Sequence, residues 1–371
     1  MSKLLISSAL IVACILVSRP VAAQQPQQMT PINRLQANIE RITRSVNAKW
    51  GIYIKCIETG EEIAINADET MDTMSVIKIP LMAEVFRQIE AGKFALSDRV
   101  TLKDSEKRPG TGVIRSLDAG ATLTVKDLIT LMIIVSDNSA TDMLFEKVGG
   151  IEPVNKLMQS YGLNTIKATG PSDNWFKALR AEPDTWKFHT EGKTPYGLSS
   201  PRDMGRLLEK INKGECVSKQ ASEQMLQTMR GQVYSSRLPK YITGFRVPHK
   251  TGDFLPYIGN DVGILESANR HIVISVFTAR HNGIGPNLED AIARIAEQVA
   301  NYFAFRESPS SKVSYCIGPL RFELSPLPLL LCQCALPYRL LVRCRNTESD
   351  CTGTALLNQR RDNESGTSQS L

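Results

Sequence analysis

Histidine is scarce in this chain of 371 residues. His189, His249, His271 and His281 are all it has, and none has the spacing of a ligand set, so a zinc or other metal centre is not expected. Concentrated positive charge is missing as well. The net charge is +6, with +2 in the first 23 residues and +1 from residue 307 onward, which leaves only +3 over the long middle. That is too weak a field for a nucleic-acid partner, and no basic stripe is visible. The apolar stretch Leu4 to Val17 is too short for a good membrane span. Cysteine is thin where a core would form. Only Cys56 and Cys216 fall between residues 24 and 306; Cys14 precedes them, and Cys316, Cys332, Cys334, Cys344 and Cys351 crowd the last 56 residues. Internal repeats are absent. What remains, 42% hydrophobic and 22% charged residues, is ordinary globular composition with enough material for a core.

The N-terminus reads as an export signal. Lys3 supplies the positive end, Leu4 to Val17 the apolar region, and Val21-Ala22-Ala23 the small residues for a cut after Ala23. An uncleaved anchor is one alternative. Lipoprotein processing at Ile11-Val12-Ala13-Cys14 is another, opposed by the apolar Ile15-Leu16-Val17 beyond it. The expectation is a periplasmic or secreted protein with no stable membrane insertion after cleavage. The last part, 307–371, has Pro-Leu runs, an odd number of cysteines and a polar end, with no helical or strand period; it is predicted to be a disordered tail. The folded domain is therefore placed at 24–306. Cys56 and Cys216 are expected as two free thiols rather than a bridge.

Within that domain, Ile32, Leu35, Ile39 and Ile42 have helical spacing. Gly51–Ile57 and Glu62–Ala67 flank Thr59-Gly60 and read as a hairpin. A helix-rich middle spans about 74–230. Three strand candidates follow, Phe245–Lys250, Val262–Glu266 and Ile272–Ala279, then a helix over Leu288–Phe303. Strands at both ends and helices between predict an α+β fold: a five-stranded antiparallel sheet from the two chain ends, plus an all-helical part, with a cleft between them.

Three short elements carry the chemistry. Ser75 and Lys78 are three residues apart, on one face of a predicted helix in apolar surroundings. A buried lysine loses affinity for its proton and can take one from the serine. Pro80 is an awkward residue there and a possible kink. Ser136-Asp137-Asn138 lies between a helix opened by the Thr124/Asp127 capping box and a second one starting at Ser139, with Asp142 three residues on. Ser136 suits proton relay and Asn138 a substrate amide, while Asp137 braces the loop. Lys250-Thr251-Gly252 ends the Phe245–His249 strand run. Lys250 and Thr251 suit a carboxylate, Gly252 allows a substrate backbone to approach, and the N–H of Asp253 is placed to complete an oxyanion hole with that of Ser75. Each element alone is commonly a cap, a turn or a strand end; their order, 61 and 114 residues apart, is what carries weight.

With these motifs the chain resembles the penicillin-recognising serine hydrolases, and among them the class A β-lactamases, over roughly residues 32–304. Ser200-Pro201-Arg202-Asp203-Met204 and the His249 lead-in add to the likeness. The resemblance implies a small-molecule β-lactam substrate, no cofactor, a monomer, and hydrolysis through an acyl-enzyme. It implies Glu182, followed by Pro183, as the activator of the deacylating water, with Asp184 as the other candidate. Two departures bear on it: the segment before Glu182 is about ten residues longer than usual, and Trp186 stands where the family has asparagine. Arg237 resembles the arginine that pairs with the substrate carboxylate, its alternative being a surface arginine. Met74 and Phe254 stand where some relatives carry a bridging cysteine pair. The runner-up reading is a D,D-peptidase-like penicillin binder that acylates but deacylates poorly. A non-enzymatic structural domain is disfavoured because no motif is lost.

Overall fold

The structure, a computed structural model, describes residues 29–181 and 195–304. The predicted signal and tail lie outside these, as do Glu182, Asp184, Trp186 and His189. Helix α1 (Pro31–Arg44) starts with Pro31 in its first turn, and the Thr30 hydroxyl accepts from the Asn33 N–H. Strands β1 (Lys49–Cys56) and β2 (Glu62–Ile65) then form the expected hairpin.

The middle of the chain is helical: α2 (Lys78–Glu90), α3 (Val125–Ile134), α4 (Asn138–Val148), α5 (Ile151–Ser160), α6 (Ser172–Ala181), α7 (Pro201–Asn212) and α8 (Lys219–Met229). Short strands punctuate it. Strands β3 (Met71–Asp72), β6 (Lys167–Ala168) and β7 (Gly197–Ser199) make one small sheet, and β4 (Arg99–Thr101) pairs with β5 (Thr122–Thr124). Strands β8 (His249–Phe254), β9 (Ile258–Glu266) and β10 (His271–Ala279) return the chain to the main sheet, and α9 (Gly285–Ala304) closes it.

The main sheet has the order β2-β1-β10-β9-β8, antiparallel throughout, so the two chain ends build it together as expected. Apolar positions of α1 and α9 (Leu35, Ile39, Ile292, Ile295 and Val299) pack with Ile52, Ile54, Ile272 and Ile274 of the sheet. A second core surrounds α2, whose apolar residues are almost all buried. Each such side chain contributes about 1.5–3 kcal/mol on burial, which is why this polar-edged helix can run through the molecular interior.

Three local expectations are corrected. The Lys250-Thr251-Gly252 strand does not run from Phe245; it begins at His249 and continues through Phe254, because β9 starts at Ile258 and extends the ladder. The motif therefore lies inside a paired strand rather than at its end. Pro80 does not interrupt α2, which runs from Lys78 to Glu90. As the third residue of α2 it falls in the first turn, where an N–H has no intrahelical acceptor. Finally, α4 begins at Asn138 with Asp137 as its cap. Asp142 turns away from that cap to bind Arg108 Nε at 2.6 Å and to accept from the Ser172 N–H at the start of α6. Cys56 and Cys216 are free and buried, and burial pushes the Cys216 thiol up to about 12.

Candidate active site

The serine is presented by a 3-10 turn, Met74–Ile77, which feeds directly into α2. The turn is pinned from behind. The Asp72 carboxylate accepts from the Met74 N–H at 2.8 Å and the Tyr196 N–H at 3.2 Å, and the Asn260 amide donates to the Asp72 carbonyl at 2.9 Å. These bonds hold Met74 in the left-handed region (φ 46°), at a cost of about 1–2 kcal/mol for a non-glycine residue. Asp72 is itself buried, and burial pushes its carboxyl up to about 7 against the pull of the backbone N–H groups. Ser75 thus stands at a helix start with its own N–H in the first turn.

Behind it the two lysines converge on Ser136. Lys78 Nζ donates to the Ser136 carbonyl at 2.7 Å, to Ser136 Oγ at 3.1 Å and to Asn138 Oδ1 at 2.9 Å. Lys250 Nζ donates to the same Oγ at 3.0 Å and to the Thr251 carbonyl at 2.9 Å. Burial holds Lys78 well below the usual lysine range, and the Lys250 charge adds to the effect. Lys250 is lowered to about 8, again by burial, with Asp253 and Asp261 opposing the shift. Ser136 has φ 56°, and that conformation turns its carbonyl to Lys78 and its hydroxyl to both amines.

Asp137 locks this loop in place. Its Oδ2 accepts from the N–H groups of Val113 and Ile114, and its Oδ1 from Ala140, so it braces the connection as the sequence suggests. Asn138 is more committed than expected. Its Oδ1 is taken by Lys78 and its amide nitrogen donates to the Pro109 carbonyl at 3.0 Å, leaving one N–H hydrogen for a substrate.

Gly252 is required for a reason besides the one expected. A Cβ at this position meets the Thr73 carbonyl oxygen at 2.4 Å and the Val76 nitrogen at 3.1 Å. The missing Cβ lets the protein's own serine turn press against β8. Next to it, the Thr251 hydroxyl is buried with no partner among the described residues.

Ser75, Ser136, Asn138 and Asp253 line a cleft of about 260 Å³. Lys78, Lys250 and Thr251 are fully buried behind this surface. Apart from Met74 and Phe254, the rest of the lining does not announce itself in the sequence. Gly110 and Thr111 form one rim, and the aromatic Trp175, Phe176 and Tyr196, with Leu179 beside them, form an apolar wall. Trp175 meets Phe254 edge-on, with ring centroids 5.2 Å apart and planes at 83°. The apolar spacing of Trp175, Phe176 and Leu179 is a usable signal for this helix, obscured by the long segment in which it sits.

Arg237 is neither a surface arginine nor a cleft-lining one. It is 2% exposed, its Nη1 donates to the Asn260 carbonyl at 2.7 Å, and its Nη2 binds the Asp253 and Glu289 carboxylates. The expected partner, a substrate carboxylate, meets an arginine already occupied by Asp253.

Comparison with known proteins places this geometry. The model of the β-lactamase enzyme family matches residues 34–303. The β-lactamase VEB-1 of Pseudomonas aeruginosa is 25% identical over 287 residues, covering 73% of this chain and 91% of the relative. Among solved structures, a β-lactamase from Sphaerobacter thermophilus is 28% identical with a TM-score of 0.63, covering 72% of this chain and 95% of that one. A point mutant of PBP-A, solved as an acyl-enzyme complex with penicillin G, is 26% identical with a TM-score of 0.63, covering 73% and 96%. A family match across the sheet, the helical part and all three motifs leads to one assignment: the chain belongs to the β-lactamase enzyme family.

Proposed function

We propose that the protein is a class A serine β-lactamase that opens the β-lactam amide through an acyl-enzyme on Ser75. The observation that carries this reading is the hydroxyl of Ser136 held between Lys78 Nζ and Lys250 Nζ at 3.1 and 3.0 Å, beside a serine at the cleft floor. Ser75 attacks the lactam carbonyl, with Lys78 in its neutral form, or Glu182 through a water, taking the proton. The N–H groups of Ser75 and Asp253 receive the oxyanion, Ser136 returns a proton to the lactam nitrogen, and Lys250 with the unpartnered Thr251 hydroxyl receives the substrate carboxylate. Water activated by Glu182, or by Asp184, then releases the product.

The second reading, a binder that stalls after acylation, is favoured by one feature. Where the connection between β6 and β7 is described, it turns Trp175, Phe176 and Leu179 to the cleft, while its acid Asp173 pairs with Lys177 at 2.6 Å. Among the described residues this connection thus offers the cleft no unpaired carboxylate, and the reading keeps Glu182, or Asp184, as the deacylating acid. A chromogenic cephalosporin followed by colour and intact mass separates the two: turnover is expected, and a persistent adduct on Ser75 without colour beyond one equivalent identifies the binder. No adduct in wild type or Ser75→Ala sinks both.

The pH profile is a further expected result. Acylation needs Lys78 neutral and Lys250 charged. The rate rises with pH as the depressed Lys78 loses its proton, and kcat/KM falls as pH passes about 8, where Lys250 becomes neutral. A profile flat from about pH 7 to about 9.5 contradicts this assignment of roles. Export with a cut after Ala23, a periplasmic or secreted location, a role in antibiotic resistance, the 24–306 domain limits and a monomeric state belong to the same proposal. No helix among the described residues is long and apolar enough to cross a membrane.

A further inference from the structure

The cleft holds one carboxylate among its described lining residues, that of Asp253, immediately after the Lys250-Thr251-Gly252 strand segment. A negative charge is unexpected where an anionic substrate is to bind, because it opposes the attraction of Lys250. Its environment explains what it does. The Asp253 side chain is 38% exposed toward the cleft, and directly behind it Arg237 is buried at 2%. Asp253 Oδ1 binds Arg237 Nη2, and Glu289 Oε1 binds the same nitrogen at 3.1 Å from the other side. Glu289 is in turn fixed by the Ser236 hydroxyl at 2.7 Å, and Arg237 Nη1 by the Asn260 carbonyl. The guanidinium is thus a preformed anion receptor buried behind the cleft lining, and the protein's own carboxylate fills it.

We propose that Asp253 is a specificity-determining residue: its carboxylate occupies Arg237 and so confines the substrate-carboxylate subsite to Lys250 and Thr251. The inference rests on the acyl-enzyme reading of the site. It implies that wild-type protein binds singly anionic β-lactams weakly for want of the arginine, and doubly anionic ones more weakly still. Removing the Asp253 side chain leaves Arg237 held by Glu289 and Asn260, so its buried charge keeps a partner and the fold is retained. It also opens a path from the cleft to the guanidinium.

The test compares wild type, Asp253→Ser and Asp253→Asn with benzylpenicillin, alongside a titration with inorganic sulfate read by thermal shift. For Asp253→Ser, KM is expected to fall about tenfold, by more than any change in kcat, as one charge-assisted contact is gained. Sulfate is expected to raise the melting temperature of this variant more than that of wild type. Asp253→Asn, which removes charge but fills the space, should lie between them. Equal KM values and equal sulfate shifts in folded Asp253→Ser overturn the proposal. Failure of every variant to form a Ser75 adduct overturns the activity reading instead, and the sulfate titration still decides whether Asp253 guards Arg237.

Discussion

Lys78→Met is expected to slow acylation of Ser75 by about 10³-fold, within the range for loss of a positioned base. The choice of methionine matters. Lys78 is fully buried in the core around α2, and an unbranched apolar chain of similar length keeps that packing. What disappears is the amine and its three bonds, to the Ser136 carbonyl, Ser136 Oγ and Asn138 Oδ1. Each acceptor left unpaired costs about 1–3 kcal/mol, offset by no longer burying an amine that resists its charge. The Ser136 carbonyl keeps the Thr111 hydroxyl at 2.7 Å and Ser136 Oγ keeps Lys250, so the loop retains its anchors. Adduct formation with penicillin G, timed by mass spectrometry alongside a thermal melt, is the measurement. A folded variant that acylates within about threefold of wild type would show that the proton leaves Ser75 by another route, the water held by Glu182 being the obvious one.

How much of this site is legible in the sequence depends on whether its logic is local. Ser75 and Lys78 are three residues apart across the junction of the Met74–Ile77 turn and α2, so their nearness in the chain is legible, whereas the partners of Lys78, Ser136 and Asn138, are not. The Asp137 brace follows from its place before a helix, and the Thr124/Asp127 capping box is legible for the same reason. The sheet is legible too, because the β1–β2 hairpin and the β9–β10 turn mark themselves and their apolar runs leave antiparallel pairing as the natural outcome. Apart from the place of Pro80 in α2 and the start of α4 at Asn138, which are local, the misreadings concern contacts between distant segments. Where β8 ends depends on the start of β9, not on its own residues. Arg237 is aligned by its neighbours in sequence, but its partners Asp253 and Glu289 come from a strand and a helix that sequence cannot bring together. The apolar wall needs α6 to be placed against β8. Gly252 shows the difference clearly: its requirement is foreseeable, but its cause lies 179 residues earlier, at Thr73.

That contact gives the second large expectation. Gly252→Ala is predicted to fold less stably, with a melting temperature lower by roughly 5 °C, and to lose about 100-fold or more in acylation rate. The added Cβ falls 2.4 Å from the Thr73 carbonyl oxygen, well inside contact distance, and the atoms it meets are mostly backbone rather than a flexible side-chain end. Overpacking of this kind costs about 1–3 kcal/mol, and in a domain of this size each kcal/mol moves the midpoint by roughly 2–4 °C. The chain can relieve the clash only by separating β8 from the Met74–Ile77 turn. The turn is tied to Asp72, whose carbonyl accepts from the Asn260 amide, and Asn260 sits opposite Gly252 in the β8–β9 ladder, so the strand and the serine are coupled through the same few bonds. Separation of a few tenths of an ångström moves the N–H of Ser75 away from that of Asp253, and an oxyanion hole depends on both donors reaching one atom. The stability loss and the rate loss therefore have different origins, and Gly252→Ala should lose far more rate than its melt predicts. A variant that melts lower yet acylates at the wild-type rate would mean that the two N–H groups do not act as a pair.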